Sequence, residues 1–275
     1  MINKITDAIV LNNGVKMPWL GLGVYEVKDG HEVEQSVLTA LQTGYRSIDT
    51  AEAYYNESGV GTAIRKSGVA REDLFVTTKV WNSNQGYETT LRAFEGSRKR
   101  LGLEYLDLYL LHWPARGKYL EAWRAFEKLY KEGYVRAIGV CNCHEQHLNA
   151  IMQNYETVPM VNQVELHPLL SQQRLRNFCK EKGIQMEAWA PLIRGQFNIP
   201  VLHKLAQKHG KTPAQIILRW DLQNGIVTIP KSVHDTRIRE NANIFDFELS
   251  SEDMKEIDTL NQNYRWGSNP DNFNF

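Results

Sequence analysis

Short apolar runs recur along this chain at nearly even spacing, and that spacing limits the possible folds more than any other feature. The runs occupy residues 20–25, 46–50, 74–80, 106–112, 135–142, 160–166, 185–191 and 227–232. Six of the seven intervals between their starts are about 25–32 residues, the length of one strand–helix–strand repeat. The last interval is about 40 residues and predicts an additional helix.

Amphipathic stretches fill the intervals. Within 119–131, Leu120, Trp123, Ala125, Phe126, Leu129 and Tyr130 recur at helical spacing and give one apolar face. Ser171 stands where an N-cap is expected for a helix over 172–182. Ser250, three residues before Asp253, predicts a capping-box start to a last helix over 252–260. Gly102, Gly133, Gly183 and Gly225 each follow a helical stretch, the usual place of a C′ glycine. Ahead of all this, 9–11 and 15–17 flank Asn12-Asn13-Gly14, which predicts a β-hairpin closed by a type I′ turn.

Eight strand-like runs alternating with helices predict an α/β chain. The expected architecture is a closed (β/α)8 barrel of the TIM type with an N-terminal hairpin and an extra C-terminal helix. It forms one domain over 1–275. Strands buried on both faces read as nearly continuous apolar runs, as Leu106-Asp107-Leu108-Tyr109-Leu110-Leu111 does. An open doubly wound sheet needs a glycine-rich phosphate loop after its first strand. Gly21-Leu22-Gly23-Val24-Tyr25-Glu26 and Gly59-Val60-Gly61 each lack the third glycine.

Charge narrows the partners. Thirty-two lysines and arginines balance 32 aspartates and glutamates, which argues against nucleic acid or an anionic membrane as a partner. No apolar run approaches the roughly 18–20 residues needed to span a bilayer. Cys141, Cys143 and Cys179 are too few and odd in number for a disulfide framework, and the N-terminus lacks the basic-then-apolar order of a secretory signal. A cytoplasmic protein is expected. No exposed heptad or self-pairing edge is readable, so a monomer is expected as well.

In a barrel of this kind chemistry collects at the C-terminal ends of the strands. Those ends carry Asp49-Thr50, Lys79-Val80-Trp81, His112-Trp113-Pro114, Cys141-Asn142, then Asn162, Gln163 and Glu165, then Glu187 and Trp189, and finally Lys231-Ser232. Asp49 and Lys79 lie on successive strands and can pair. Tyr54 and Tyr55 follow Asp49 closely, and a nearby ammonium lowers a phenol's pKa and makes it a general acid. His112 can orient a substrate carbonyl, with Tyr25, Trp81 and Trp113 as apolar walls. The same residue types also serve in inert salt bridges and packed cores. Lys79 could instead be a Schiff-base lysine of a barrel aldolase. The run Cys141-Asn142-Cys143-His144, with His147 beyond, has no zinc spacing, and no metal is expected. Lys231, Ser232 and Arg237, where the last strand runs into a helix N-terminus, make an anion site that could take either a substrate or a cofactor phosphate.

Taken together the chain resembles the aldo-keto reductase family along essentially its whole length. The resemblance rests on Asp49-Thr50-Ala51 with Tyr54, Asn56 and Glu57; on Thr78-Lys79-Val80-Trp81; and on Leu108 to Pro114. Val161-Asn162-Gln163-Val164-Glu165 and Ile229-Pro230-Lys231-Ser232 complete it. The chain looks most like the small bacterial and protozoal members, the glyoxal/methylglyoxal reductase, 2,5-diketo-gluconate reductase and prostaglandin F synthase type. The resemblance implies NADPH-dependent reduction of small carbonyl compounds by a tetrad of Asp49, Tyr54, Lys79 and His112. It implies that Tyr54 rather than Tyr55 donates the proton, because the family tyrosine precedes x-Asn-Glu. Lys231, Ser232 and Arg237 would hold the 2′-phosphate, with Glu240 and Asn241 near the adenine. Asn142 and Gln163 would bind the carboxamide, and Trp189 would stack on the nicotinamide. The wider cofactor lining it implies is Gly23, Val24, Tyr25, Asp49, Cys141, Ala190, Pro191, Leu192, Gln196, Ile229, Pro230 and Val233. Some barrels of the family bind the cofactor without catalysis. Cys141 and Cys143 stand where the family usually has serine and phenylalanine, and Ala190 where it often has serine.

Overall fold

The computed structural model describes residues 2–273. Its strands are β1 (Ala8–Val10), β2 (Lys16–Pro18), β3 (Gly21–Gly23), β4 (Ser47–Asp49), β5 (Phe75–Val80), β6 (Leu106–Leu111), β7 (Val135–Cys141), β8 (Val161–Glu165), β9 (Gln185–Trp189) and β10 (Val227–Thr228). Strands β3 to β10 pair in parallel and in sequence order. The sheet then closes on itself. Thr228 donates its amide to the Trp19 carbonyl at 3.0 Å, and Gly23 donates to the Pro230 carbonyl at 3.3 Å. A Cβ on Gly23 would lie 2.8 Å from the Ile229 carbonyl oxygen, so the closing seam requires glycine there. The predicted eighth run is trimmed to two residues because Pro230 brings no amide to the ladder.

Each predicted strand is present with one or both ends drawn in, and β5 and β6 are buried at every position. The acid inside the apolar run of β6 is compensated. Asp107 pairs with Arg71 at 2.7 Å and Arg136 at 2.8 Å, and it accepts the Val76 amide at 2.9 Å.

The helices are α1 (His31–Thr43), α2 (Glu57–Ser67), α3 (Tyr87–Leu101), α4 (Tyr119–Lys131), α5 (Glu145–Asn154), α6 (Gln173–Glu181), α7 (Pro200–His209), α8 (Pro213–Gln223), α9 (Asp235–Ala242) and α10 (Ser251–Asp258). The apolar face read over 119–131 becomes α4, which buries Ala122, Trp123, Ala125, Phe126 and Leu129. The long interval holds both α7 and α8. Helix α10 starts on the predicted capping box of Ser250 and Asp253. Ser171 does not cap α6. Gln172 takes the left-handed conformation at the N-cap (φ 52°), and the Ser171 amide donates to Asn261 Oδ1 instead.

The hairpin of β1 and β2 is present, but its turn is not type I′. Only Gly14 has positive φ (87°), and its amide donates to the Leu11 carbonyl at 2.9 Å. The three-residue loop is a turn of ordinary hand followed by a left-handed glycine, an arrangement that needs only one such residue. Asn12 and Asn13 then donate to the carbonyls of Pro159 and Arg136 at the start of β8 and β7. The hairpin therefore covers the N-terminal end of the barrel and leaves the opposite end for chemistry.

Candidate active site

Lys79 is fully buried in β5, and its ammonium is held by three oxygens. It donates to the Asp49 carboxylate in a short contact, to the Thr50 carbonyl at 2.9 Å, and to the Tyr54 hydroxyl at 3.3 Å. Tyr54 ends a single 3-10 turn, Glu52–Tyr54, immediately after β4. The turn is fixed from below. Asn56 accepts from Thr50 Oγ1 at 2.7 Å and donates to the carbonyls of Val24 and Val27 at 2.9 Å. Glu57 accepts from Thr78 and Arg100, which ties α2 to β5 and α3. The neighbouring Tyr55 is 85 % exposed and turned to solvent by a positive φ of 55°, so Tyr54 alone meets the lysine.

Electrostatics distinguish the members. Burial works against the Lys79 charge, but Asp49 and Tyr54 outweigh it and keep the amine protonated. Burial raises the Tyr54 phenol above its ordinary value. Lys79 pulls it back down, though not far enough to reverse the shift. The pairing expected from sequence is therefore present, and burial is the larger effect. Burial, then the Lys79 charge, push the His112 imidazole well below its ordinary pKa, so it is neutral. Its Nδ1 is buried without a partner among the described residues. The His112 ring lies edge-on to Tyr54 at 5.6 Å and to Trp81 at 5.0 Å, and Tyr25 lies edge-on to Tyr54 at 5.1 Å.

The amides beyond the tetrad are interlocked. Asn142, in left-handed conformation after β7 (φ 57°), donates to the His112 carbonyl at 3.0 Å and accepts from Trp189 Nε1 at 2.8 Å. Gln163 Nε2 donates to Asp49 Oδ2 and to Glu187 Oε2, each at 2.8 Å. Cys141 is buried, and burial holds its thiol well above its ordinary pKa. Cys143 is buried against Asn162, whereas His144 faces Asp271 across the surface.

At the rim of β10, Lys231 and Arg237 are exposed, and neither is in an ion pair among the described residues. Ser232 Oγ accepts the His234 amide at 3.1 Å just ahead of α9, whose N-cap carries no side-chain cap. Asn241 is buried, and Glu240 is engaged with Thr212 at 2.7 Å.

Residues 19–262 match the model of the Aldo/keto reductase family. The chain belongs to that family. It is 59 % identical over 276 residues to a glyoxal reductase of Bacillus subtilis, covering 100 % of each chain. An aldo-keto reductase from a Medee basin deep-sea metagenome library superposes with a TM-score of 0.95 at 46 % identity, over 98 % of this chain and 100 % of that one. A mutant of Gox0644 solved in complex with NADPH gives 0.93 at 43 % identity, over 98 % of both.

Two features of this family member were not assigned a role from sequence. The first is Glu187, buried beside Gln163. The second is the course of the C-terminal tail. Glu165 Oε1 and Oε2 accept the amides of Trp266 and Gly267 at 2.7 and 3.0 Å, and the Trp266 ring packs on His167 at 4.6 Å. Farther along, Asp271 holds His144 Nδ1 and Gln146 at 2.8 and 2.7 Å, and Phe273 lies 4.9 Å from Trp113. The tail thus crosses from the end of β8 to the wall formed by Trp113. The loop that follows β9 is strained. Ala190, Ile193 and Arg194 have φ of 51°, 45° and 51°, a rare conformation for a β-branched residue such as Ile193.

Proposed function

We propose that the protein reduces the carbonyl group of small aldehydes and ketones, including dicarbonyls, with NADPH. The observation that carries this reading is the Tyr54 hydroxyl 3.3 Å from a lysine that Asp49 keeps charged. The likeness to a glyoxal reductase supports small dicarbonyls as substrates. Aromatic aldehydes and keto-sugars are further candidates for a mouth walled by Tyr25, Trp81 and Trp113.

The residues present fit the cofactor. Two exposed cations without acidic partners among the described residues, at the free amides of a helix N-terminus, suit a phosphate dianion. Lys231, Ser232 and Arg237 would hold the 2′-phosphate, Asn142 and Gln163 the carboxamide, and Trp189 the ring. Bound NADPH supplies the hydride that the carbonyl carbon receives.

The protein's own part is positioning and proton transfer. Neutral His112 donates a hydrogen bond to the carbonyl oxygen and orients it. Tyr54 gives its proton to that oxygen as negative charge develops there. Lys79 stabilises the resulting phenolate, and Asp49 holds Lys79 in place. A lysine kept protonated by a buried carboxylate is a poor amine nucleophile, which disfavours imine chemistry.

The test is aldehyde-dependent NADPH oxidation by the wild type and Tyr54→Phe over a panel of dicarbonyls, aromatic aldehydes and keto-sugars. Loss of turnover in Tyr54→Phe is expected. Equal turnover in the two would remove Tyr54 as the donor, and no turnover with any carbonyl despite cofactor binding would favour a binding module.

A further inference from the structure

Glu187 on β9 has no part in the chemistry described so far, yet it lies one amide away from it. It is 1 % exposed and stands in register with Gln163 on β8. The single nitrogen Nε2 of Gln163 serves two carboxyl groups, Asp49 and Glu187, at 2.8 Å each. Both of its hydrogens are thereby spent and the amide's orientation is fixed. Glu187 Oε1 is buried without a partner among the described residues. A carboxylate with a bare buried oxygen, sharing its only donor with a second carboxylate, is costly to ionise.

Asp49 has Lys79 against it, so the proton of this pair of acids belongs on Glu187. Burial and then the Asp49 charge raise Glu187 to about 8, with Gln163 and Lys79 pulling the other way. The titratable groups that face it are Asp49 on β4, Lys79 on β5 and Cys141 on β7. The Cys141 thiol is neutral, and β10 contributes only Val227 and Thr228.

We propose that Glu187 is a positioning residue for carbonyl reduction: as a neutral acid it anchors the Gln163 amide so that Asp49 stays on Lys79, and as an anion it opposes proton transfer from Tyr54. The inference rests on Tyr54 as the proton donor. A second negative charge beside Asp49 disfavours both the Tyr54 phenolate and the negative charge growing on the substrate oxygen.

Turnover of glyoxal at saturating NADPH, measured against pH in wild type and Glu187→Gln, tests this. Wild-type kcat is expected to fall by up to about tenfold between about pH 7 and about pH 9, with little change in the aldehyde KM. Glu187→Gln, which cannot ionise, is expected to retain neutral-pH turnover within a few-fold and to stay level over that window. A second measurement needs neither activity nor the variant's folding. In wild type labelled at glutamate carboxyls with carbon-13, the infrared band of a protonated buried carboxyl is expected at neutral pH and lost over the same window. Parallel pH profiles in wild type and Glu187→Gln, or no such band at neutral pH, would overturn the role. Wild-type turnover in Tyr54→Phe would instead overturn the donor reading beneath it.

Discussion

Lys79 Nζ stands between Asp49 and the Tyr54 hydroxyl and donates to both from a position with no solvent exposure. Lys79→Met leaves the Asp49 carboxylate buried with the Gln163 amide as its one remaining partner among the described residues. Breaking a buried pair on one side costs about 3–5 kcal/mol, and loss of a tuned general acid lowers turnover by about 10²–10⁴-fold. Thermal melts should show the destabilisation. Steady-state kinetics should place the loss in kcat rather than in the KM for NADPH, whose proposed phosphate contacts lie at the rim of β10. A Lys79→Met enzyme with wild-type kcat would sever the lysine from the chemistry.

Cofactor choice is a separate expectation. Arg237 is exposed in the first turn of α9 and has no acidic partner among the described residues, so none of them competes for its guanidinium. A hydrogen bond to a charged group contributes about 1.5–3 kcal/mol, which is roughly tenfold to a hundredfold in affinity. Arg237→Ala should weaken NADPH by that factor in a fluorescence titration and leave NADH within a few-fold. Equal losses for both would place Arg237 away from the 2′-phosphate.

The parts legible in the sequence are those set by local pattern. Strands buried on both faces announce themselves as apolar runs, and the bounds of α4 are read to the residue, although its buried face includes Ala122 and leaves Leu120 and Tyr130 half-buried. Strand ends then place Asp49, Lys79 and His112 together, because a closed parallel barrel brings every C-terminal strand end to one mouth. Three features depend on partners far along the chain and are not legible locally. Ser171 loses its capping role because Gln172 turns left-handed and Asn261 takes the Ser171 amide. Tyr54 keeps a raised pKa because burial exceeds the Lys79 charge, and the burial of one side chain on a short turn has no local signature. Glu165 receives the tail through the backbone amides of Trp266 and Gly267, which leave no side-chain signature in the sequence.

His112 makes stability depend on pH in a definite direction. Its folded pKa is depressed by burial and then by Lys79, below the ordinary value of 6.5. The folded state cannot take up the proton that the unfolded chain binds, so this contribution is present above about 6.5 and lost as pH falls below it. Denaturant titrations at successive pH values should show wild type losing up to about 1 kcal/mol per pH unit relative to His112→Gln in that acidic range. The two should run parallel above it. Parallel behaviour at every pH would mean that His112 accepts a proton in the folded protein.

Glu165 is the anchor of the tail, and its ionisation sets when the anchor holds. Burial works to raise its pKa, but His167 and the amides of Trp266 and Gly267 outweigh that and hold it below the ordinary 4.5. A carboxyl with a depressed pKa contributes above its ordinary value and loses that contribution as pH falls through the depressed one. Docking of the tail should therefore persist through neutral pH and fail only in acid below the ordinary carboxylate range. Glu165→Gln removes the charge and leaves one of the two amide contacts facing an NH2 group, a loss of about 1–3 kcal/mol. Hydrogen exchange over residues 264–273 should accelerate by about tenfold to a hundredfold in the variant. Because the tail runs to the Trp113 wall, the KM for small dicarbonyls should rise while the tetrad and its kcat stay intact. Unchanged exchange in Glu165→Gln would show that the tail is held by Trp266 on His167 and by Asp271 on His144 rather than by this carboxylate.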